Sequence, residues 1–194
     1  MKKNTRWEMF PVTEIDIMRI FKYLTENNYI VILGVFKYIL NTGKTITEIL
    51  DLKFEDLDVN KFNSSCLTTA NILKEYYKSN NIDNYDKGYL FKSFKQGLKN
   101  TDTPISYKGI HMYFKKIQEE LDIDYLFNTN SLRKAWGKKA YIESGHNINL
   151  VMKVLNLKNM SYALKFIGEE NTEFIINKPV NDSDISDIYK KVKF

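Results

Sequence analysis

The chain has 194 residues, a net charge of +5 and a pI near 9.0, with 43% hydrophobic and 14% aromatic residues. That is enough apolar material for one well-buried domain, or at most two small ones. No apolar run reaches bilayer-spanning length, and "MKKNTRWEMF" at the N-terminus lacks the apolar core of a signal peptide, so no membrane partner is expected. A single cysteine, Cys66, allows no disulfide framework and points to a reducing cytoplasm; with only two histidines it also argues against a structural zinc site, so no metal is expected. The basic balance suits a nucleic-acid partner without requiring one.

Taken in order, most of the chain reads as helix. Thr13 with Asp16 has the form of a capping box, and Ile17, Ile20, Phe21 and Leu24 make the apolar stripe behind it. Residues 29–41 are apolar on nearly every side, which predicts a buried helix stopped by Gly43. Thr45 and Glu48 form a second capping box, opening a short helix through Leu52. The polar stretch "FEDLDVNKFNSS" leaves little room for a long hairpin. A helix around residues 69–79 comes next, then an Asn-rich loop and a candidate short strand, "GYLFKSF". Ser106 is placed to cap a helix carrying Ile110, Phe114, Ile117 and Leu121 on one side.

"NSLRKAWGKKAYIESG", residues 130–145, has the start residues Asn130 and Ser131, an inner face of Leu132, Ala135, Trp136 and Ala140, and a stop at Gly145. Arg133 and Lys134 fall in its first turn, where the helix dipole disfavours cations unless an anion lies opposite. Asn147 then opens "INLVMKVL", and Ser161 opens "YALKFIG". The ending "NDSDISDIYKKVKF" reads as an amphipathic helix with Ile185, Ile188, Tyr189 and Val192 inward. Trp7 and Trp136 read as packing residues, and His111 and His146 as surface or core residues rather than catalytic ones. There are no internal repeats and no low-complexity tract.

Three stretches in fixed order carry a family resemblance. "TGKTITEILDLKFEDLD" resembles the first signature box of the tyrosine recombinases, the phage integrase family. "NTNSLRKAWGKKAY" is similar to the second box of a subgroup reading T-H-S-L-R-K-T-F-G-Y, and "KVLNLKNMSYALKFIG" to its continuation, L-N-H-S-S-x-x-x-T-L-x-Y-I-G. "ISDIYKKVKF" is similar to the C-terminal tail helix of such enzymes, so the resemblance runs over residues 12–194. It implies a mainly α (α+β) catalytic-domain fold, with a small β element after the third helix. The domain would cover residues 1–180 and the tail helix residues 181–194. The family's N-terminal DNA-clamping domain has no counterpart in the sequence, and a half-clamp is expected to bind DNA more weakly.

In that family a tyrosine attacks the DNA phosphate, two arginines hold its non-bridging oxygens, and a lysine and histidines assist proton transfer. Here the first arginine's place is taken by Thr45, with Lys44 beside it; Asn130 and Leu157 stand for the two histidines, and Phe166 for the nucleophile. The lysine-bearing hairpin is shortened between Asp58 and Leu67, so only Arg133 remains. A phenyl ring has no oxygen to form a phosphotyrosyl bond, and losing one oxyanion-type contact alone typically costs ~10²–10³ in rate. The resemblance therefore implies a pseudoenzyme with no catalytic residues and no cofactor. Its expected partner is double-stranded DNA, bound by Arg133, Lys134, Lys138, Lys139, Lys44, Lys108 and Ser106. A phage, prophage or mobile-element regulator, a repressor or a recombination accessory in the bacterial cytoplasm and nucleoid, would fit that description.

Alternatives stay open. Arg133 could be a structural partner of Glu48, Thr45 a helix cap rather than a ligand contact, and the lysines a solvated face. The tail helix docks onto a neighbouring subunit in the family. A second class of function is therefore an interaction module that joins or inhibits an active recombinase, or forms a homo-oligomer, through residues 181–194. Tyr162, one turn before Phe166, would be the nucleophile of a distant third reading, an active recombinase.

Overall fold

Thr13 starts α1 (Glu14–Glu26) as its spacing predicts, its side chain accepting from the Asp16 amide while Ile17, Ile20 and Leu24 turn inward. The structure is a computed structural model and describes residues 9–59, 61–93, 102–170 and 178–194. Trp7 and Phe94 lie outside the described residues. α2 (Ile30–Thr42) is buried along most of its length and ends at Gly43, with φ 64°. Glycine suits that left-handed position twice over, because a Cβ there would stand 2.6 Å from Cε3 of Trp136. α3 (Ile46–Leu50) carries the complete Thr45–Glu48 capping box.

A single 3₁₀ turn over Phe54–Asp56 leads to α4 (Ser64–Ser79). This helix begins earlier than its apolar spacing suggests, because Asn63 Oδ1 takes the Cys66 amide at 3.0 Å and sets the start. Among the described residues the small β element consists of two isolated antiparallel bridges, Lys53 with Tyr89 and Lys92 with Pro104. Lys92, 3% exposed, ties this region together by donating to Asp102 and to the Lys87 carbonyl, both at 2.7 Å. α5 (Tyr107–Glu120) is capped by Ser106 and presses Ile110, Phe114 and Ile117 inward. Phe114 stacks on Phe36 of α2 at 4.5 Å between ring centroids.

The remaining helices form a second apolar cluster on the other side of α6. α6 (Thr129–Glu143) is capped by Asn128 rather than Asn130, since Ser131 bonds the Leu126 carbonyl and the Asn130 amide donates to Asn128 Oδ1 at 2.9 Å. α7 (Ile148–Leu155) comes next, then α8 (Met160–Ile167), whose cap is Asn159 rather than Ser161. Gly137 allows this layer to close: a Cβ there would meet Ile167 of α8 and Leu155 of α7 at 2.9 Å each. Trp136, Ala140 and Leu132 are fully buried, as their shared face predicts.

α9 (Asp182–Lys191), the tail helix, lies on its own body rather than projecting from it. Ile188 and Val192 are buried, and the Tyr189 ring lies 5.8 Å from that of Trp136. Asn63 Nδ2 donates to the Val192 carbonyl at 2.8 Å and to Asn41 Oδ1 at 3.0 Å, and the Phe194 amide donates to the same Asn41 oxygen at 3.2 Å. Ile185 stays at the rim of a cavity of about 370 Å³ shared with Lys44 and Phe62. The apolar residues expected to dock on a neighbour are thus mostly occupied in cis. No helix among the described residues is long and apolar enough to cross a membrane.

Candidate nucleic-acid interface

The site is organised around the first turn of α6. Arg133 Nε donates to the Gly43 carbonyl at 2.9 Å, and its Nη2 donates to the Leu155 carbonyl at 3.1 Å. Those oxygens sit at the C-terminal ends of α2 and α7, where helix carbonyls carry partial negative charge. They take the place of the anion that two cations in a helix's first turn would otherwise require. Lys134 is held in the same manner, donating to the Met9 carbonyl at 2.7 Å.

Both cations lean over one ring. Arg133 Cζ lies 5.9 Å and Lys134 Nζ 5.3 Å from the centroid of Phe166, which α8 buries against α6. Burial lowers the pKa of Arg133, with the charge of Glu48 and the Tyr162 hydroxyl opposing that shift. Burial likewise lowers that of Lys134; Glu170 opposes the shift and the neighbouring Lys165 charge adds to it. No ion pair joins Arg133 to Glu48 among the described residues. Glu48 accepts from the Thr45 amide and hydroxyl at 2.8 and 2.7 Å and lies 3.7 Å from Lys44 Nζ. Burial pushes the Glu48 carboxyl up, but the Thr45 hydrogen bonds and the Lys44 and Arg133 charges outweigh it and hold the group below the usual range. Thr45 is a cap, and the structural side of Arg133 runs through carbonyls instead of Glu48.

The other lysines of α6 face a different way. Lys138 pairs with Glu169 at 2.9 Å. Lys139 donates to the Lys193 carbonyl at 2.7 Å, approaches Glu14 at 3.9 Å and lies 4.3 Å over the Phe194 ring. Both line an open groove with Phe10, Ile142 and Glu143, away from the Phe166 ring. Ser106 caps α5 through the Gly109 amide at 3.1 Å, and Lys108 is exposed on that helix's first turn.

No family model matches the sequence, and no curated protein is similar to it. Among solved structures, the crystal structure of XerA recombinase superposes with a TM-score of 0.62 at 14% identity, over 97% of this chain and 65% of that one.

The chain has a tyrosine-recombinase-like fold.

At that identity the likeness concerns the fold, and the chain spans 65% of the recombinase's length. Within this fold the places matched to the family's catalytic residues lie near Arg133, whereas Lys138 and Lys139 do not. Thr45 and Leu157 each come two residues after a carbonyl that holds Arg133, and Asn130 precedes Arg133 by three on the same helix face. Tyr162 is 54% exposed on α8, with its ring 6.2 Å from that of Phe166. Two cations on this side are absent from the residues that the sequence singles out: Lys158, just before α8, and Lys165, on its outer face, both exposed and without a carboxylate partner among the described residues. Their signal lies in the helical spacing of "LKNMSYALKFIG", whose polar positions fall on the side opposite Ala163, Leu164 and Ile167.

Proposed function

We propose that the protein binds duplex DNA without cutting it, as a degenerate recombinase-type subunit that regulates expression or recombination of a mobile element. One observation carries this reading: Arg133 and Lys134 converge on Phe166, a ring with no oxygen, at the place the resemblance assigns to the nucleophile. Binding rests on Arg133, Lys134 and Lys44 at the cleft and Lys108 at the start of α5. Each phosphate neutralised contributes about −0.9 to the slope of log affinity against log salt. The test pairs two assays. Binding to a short duplex across a salt series should show affinity that falls steeply as salt rises. Incubation with nicked suicide duplexes should yield no covalent protein–DNA adduct, and Phe166→Tyr alone should not restore one, because Thr45, Asn130 and Leu157 still lack the assisting groups. An adduct from the unaltered protein that vanishes in Tyr162→Phe would establish the active-recombinase alternative instead. The interaction-module alternative, acting through residues 181–194, has less support, since Ile188 and Val192 are buried in cis.

A further inference from the structure

We propose that the outer face of α8, headed by Lys158 and continued by Tyr162 and Lys165, grips the DNA phosphate backbone, taking the part the sequence assigns to Lys138 and Lys139. This deepens the DNA-binding reading and rests on it. α8 is amphipathic: Ala163, Leu164, Phe166 and Ile167 are buried, while Ser161, Tyr162 and Lys165 are exposed. Tyr162 and Lys165 stand three residues apart, and Ser161 and Lys165 four, so the three side chains share one side of the helix. Lys158 lies immediately before the Asn159 cap, which accepts from the Tyr162 amide at 2.9 Å.

Charge separates this face from the groove of Lys138 and Lys139 and from Lys153. Lys138, Lys139 and Lys153 each have a carboxylate within ion-pair distance: Glu169, Glu14 and Asp182 respectively. Lys158 and Lys165 have none among the described residues. Lys165 instead adds positive charge beside Lys134, where Arg133 is also close, while Glu170 and Glu48 supply the opposing charge. Carbonyls already hold Arg133 and Lys134, so the positive charge left to attract an anion is that of Lys158 and Lys165. A DNA strand along α8 would bring successive phosphates past Lys158, Lys165 and the Arg133 Nη1 hydrogens, which have no acceptor among the described residues. Tyr162, an exposed residue, would donate a hydrogen bond to a phosphate oxygen and form no bond to phosphorus.

The experiment is fluorescence anisotropy with a short labelled duplex over a salt series, using the full chain and three variants checked for unchanged thermal melting. Lys158→Ala/Lys165→Ala should flatten the salt slope by about two units. Tyr162→Phe should weaken binding about 10-fold or more with the slope retained, the effect of one hydrogen bond to a charged phosphate oxygen. Lys138→Ala/Lys139→Ala should change the slope less than the α8 pair does. If the unaltered chain binds and the α8 variants bind equally well, or if the α6 pair carries the slope, this assignment is wrong while the DNA-binding reading survives. Absence of binding by the unaltered chain at low salt overturns both.

Discussion

Replacing Trp136 tests how the two apolar clusters are joined. The indole is fully buried between Gly43, Leu155 and Tyr189, where α2, α7 and α9 meet α6. A buried tryptophan removes about 150–250 Å² from water, which at about 25 cal/mol per Å² corresponds to roughly 4–6 kcal/mol. One contribution works in the other direction. The Nε1 donor has no hydrogen-bond partner among the described residues, and a buried unsatisfied donor costs about 1–3 kcal/mol. Trp136→Ala removes that penalty along with the packing but leaves a cavity that the surrounding helices fill only in part. The expected net loss is about 3–5 kcal/mol. Trp136→Phe keeps a ring in the site and removes the orphaned donor, so it should cost less than Trp136→Ala. Urea melts monitored by far-UV circular dichroism give both values, with the slope of the transition checking that the unfolded states match. A loss below about 1 kcal/mol for Trp136→Ala, or a Phe variant as damaged as the Ala one, would refute the packing argument.

Three other contacts give further expected outcomes. Gly43→Ala places a side chain at φ 64°, costing about 1–2 kcal/mol in the backbone alone, and drives its Cβ to 2.6 Å from Trp136; a calorimetric melt should fall by more than about 4 °C. Asn63→Ala removes the donor to Val192 and Asn41, so it should lose about 1–3 kcal/mol and release the C-terminal residues to carboxypeptidase faster than in the unaltered chain. Glu48 is held below the ordinary glutamate value of about 4.3, so its ionised form stabilises the fold above that pH, and this stability is lost as pH falls through the lower folded value. Glu48→Gln should therefore be less stable than the unaltered chain near neutral pH, with the difference closing in strong acid; a constant difference across the range would contradict the assignment.

Features that depend on neighbours a few residues away are settled by the sequence alone. The Thr13–Asp16 and Thr45–Glu48 starts, the Gly43 stop and the buried face of Leu132, Trp136 and Ala140 all come from capping geometry and a helical period. Even there, adjacent polar residues compete for the same role: Asn128 and Asn159 take the caps expected at Asn130 and Ser161. The charges are not legible in the sequence, because a lysine's partner can come from anywhere in the chain. Lys134 finds a carbonyl 125 positions away and Lys139 one 54 away, while Lys158 and Lys165 find no carboxylate among the described residues and remain on the surface. Arg133 illustrates both sides. Its place in the first turn of a helix is readable, but only the tertiary structure brings the C-terminal carbonyls of α2 and α7 to it and sets Phe166 beneath it. Nothing local encodes where two other helices end. The tail is decided in the same way: an amphipathic period requires that Ile188 and Val192 be covered by something. That the cover is α6 and α7 of the same chain depends on the hydrogen bonds from Asn63 to Val192 and from Phe194 to Asn41, which join residues more than a hundred positions apart.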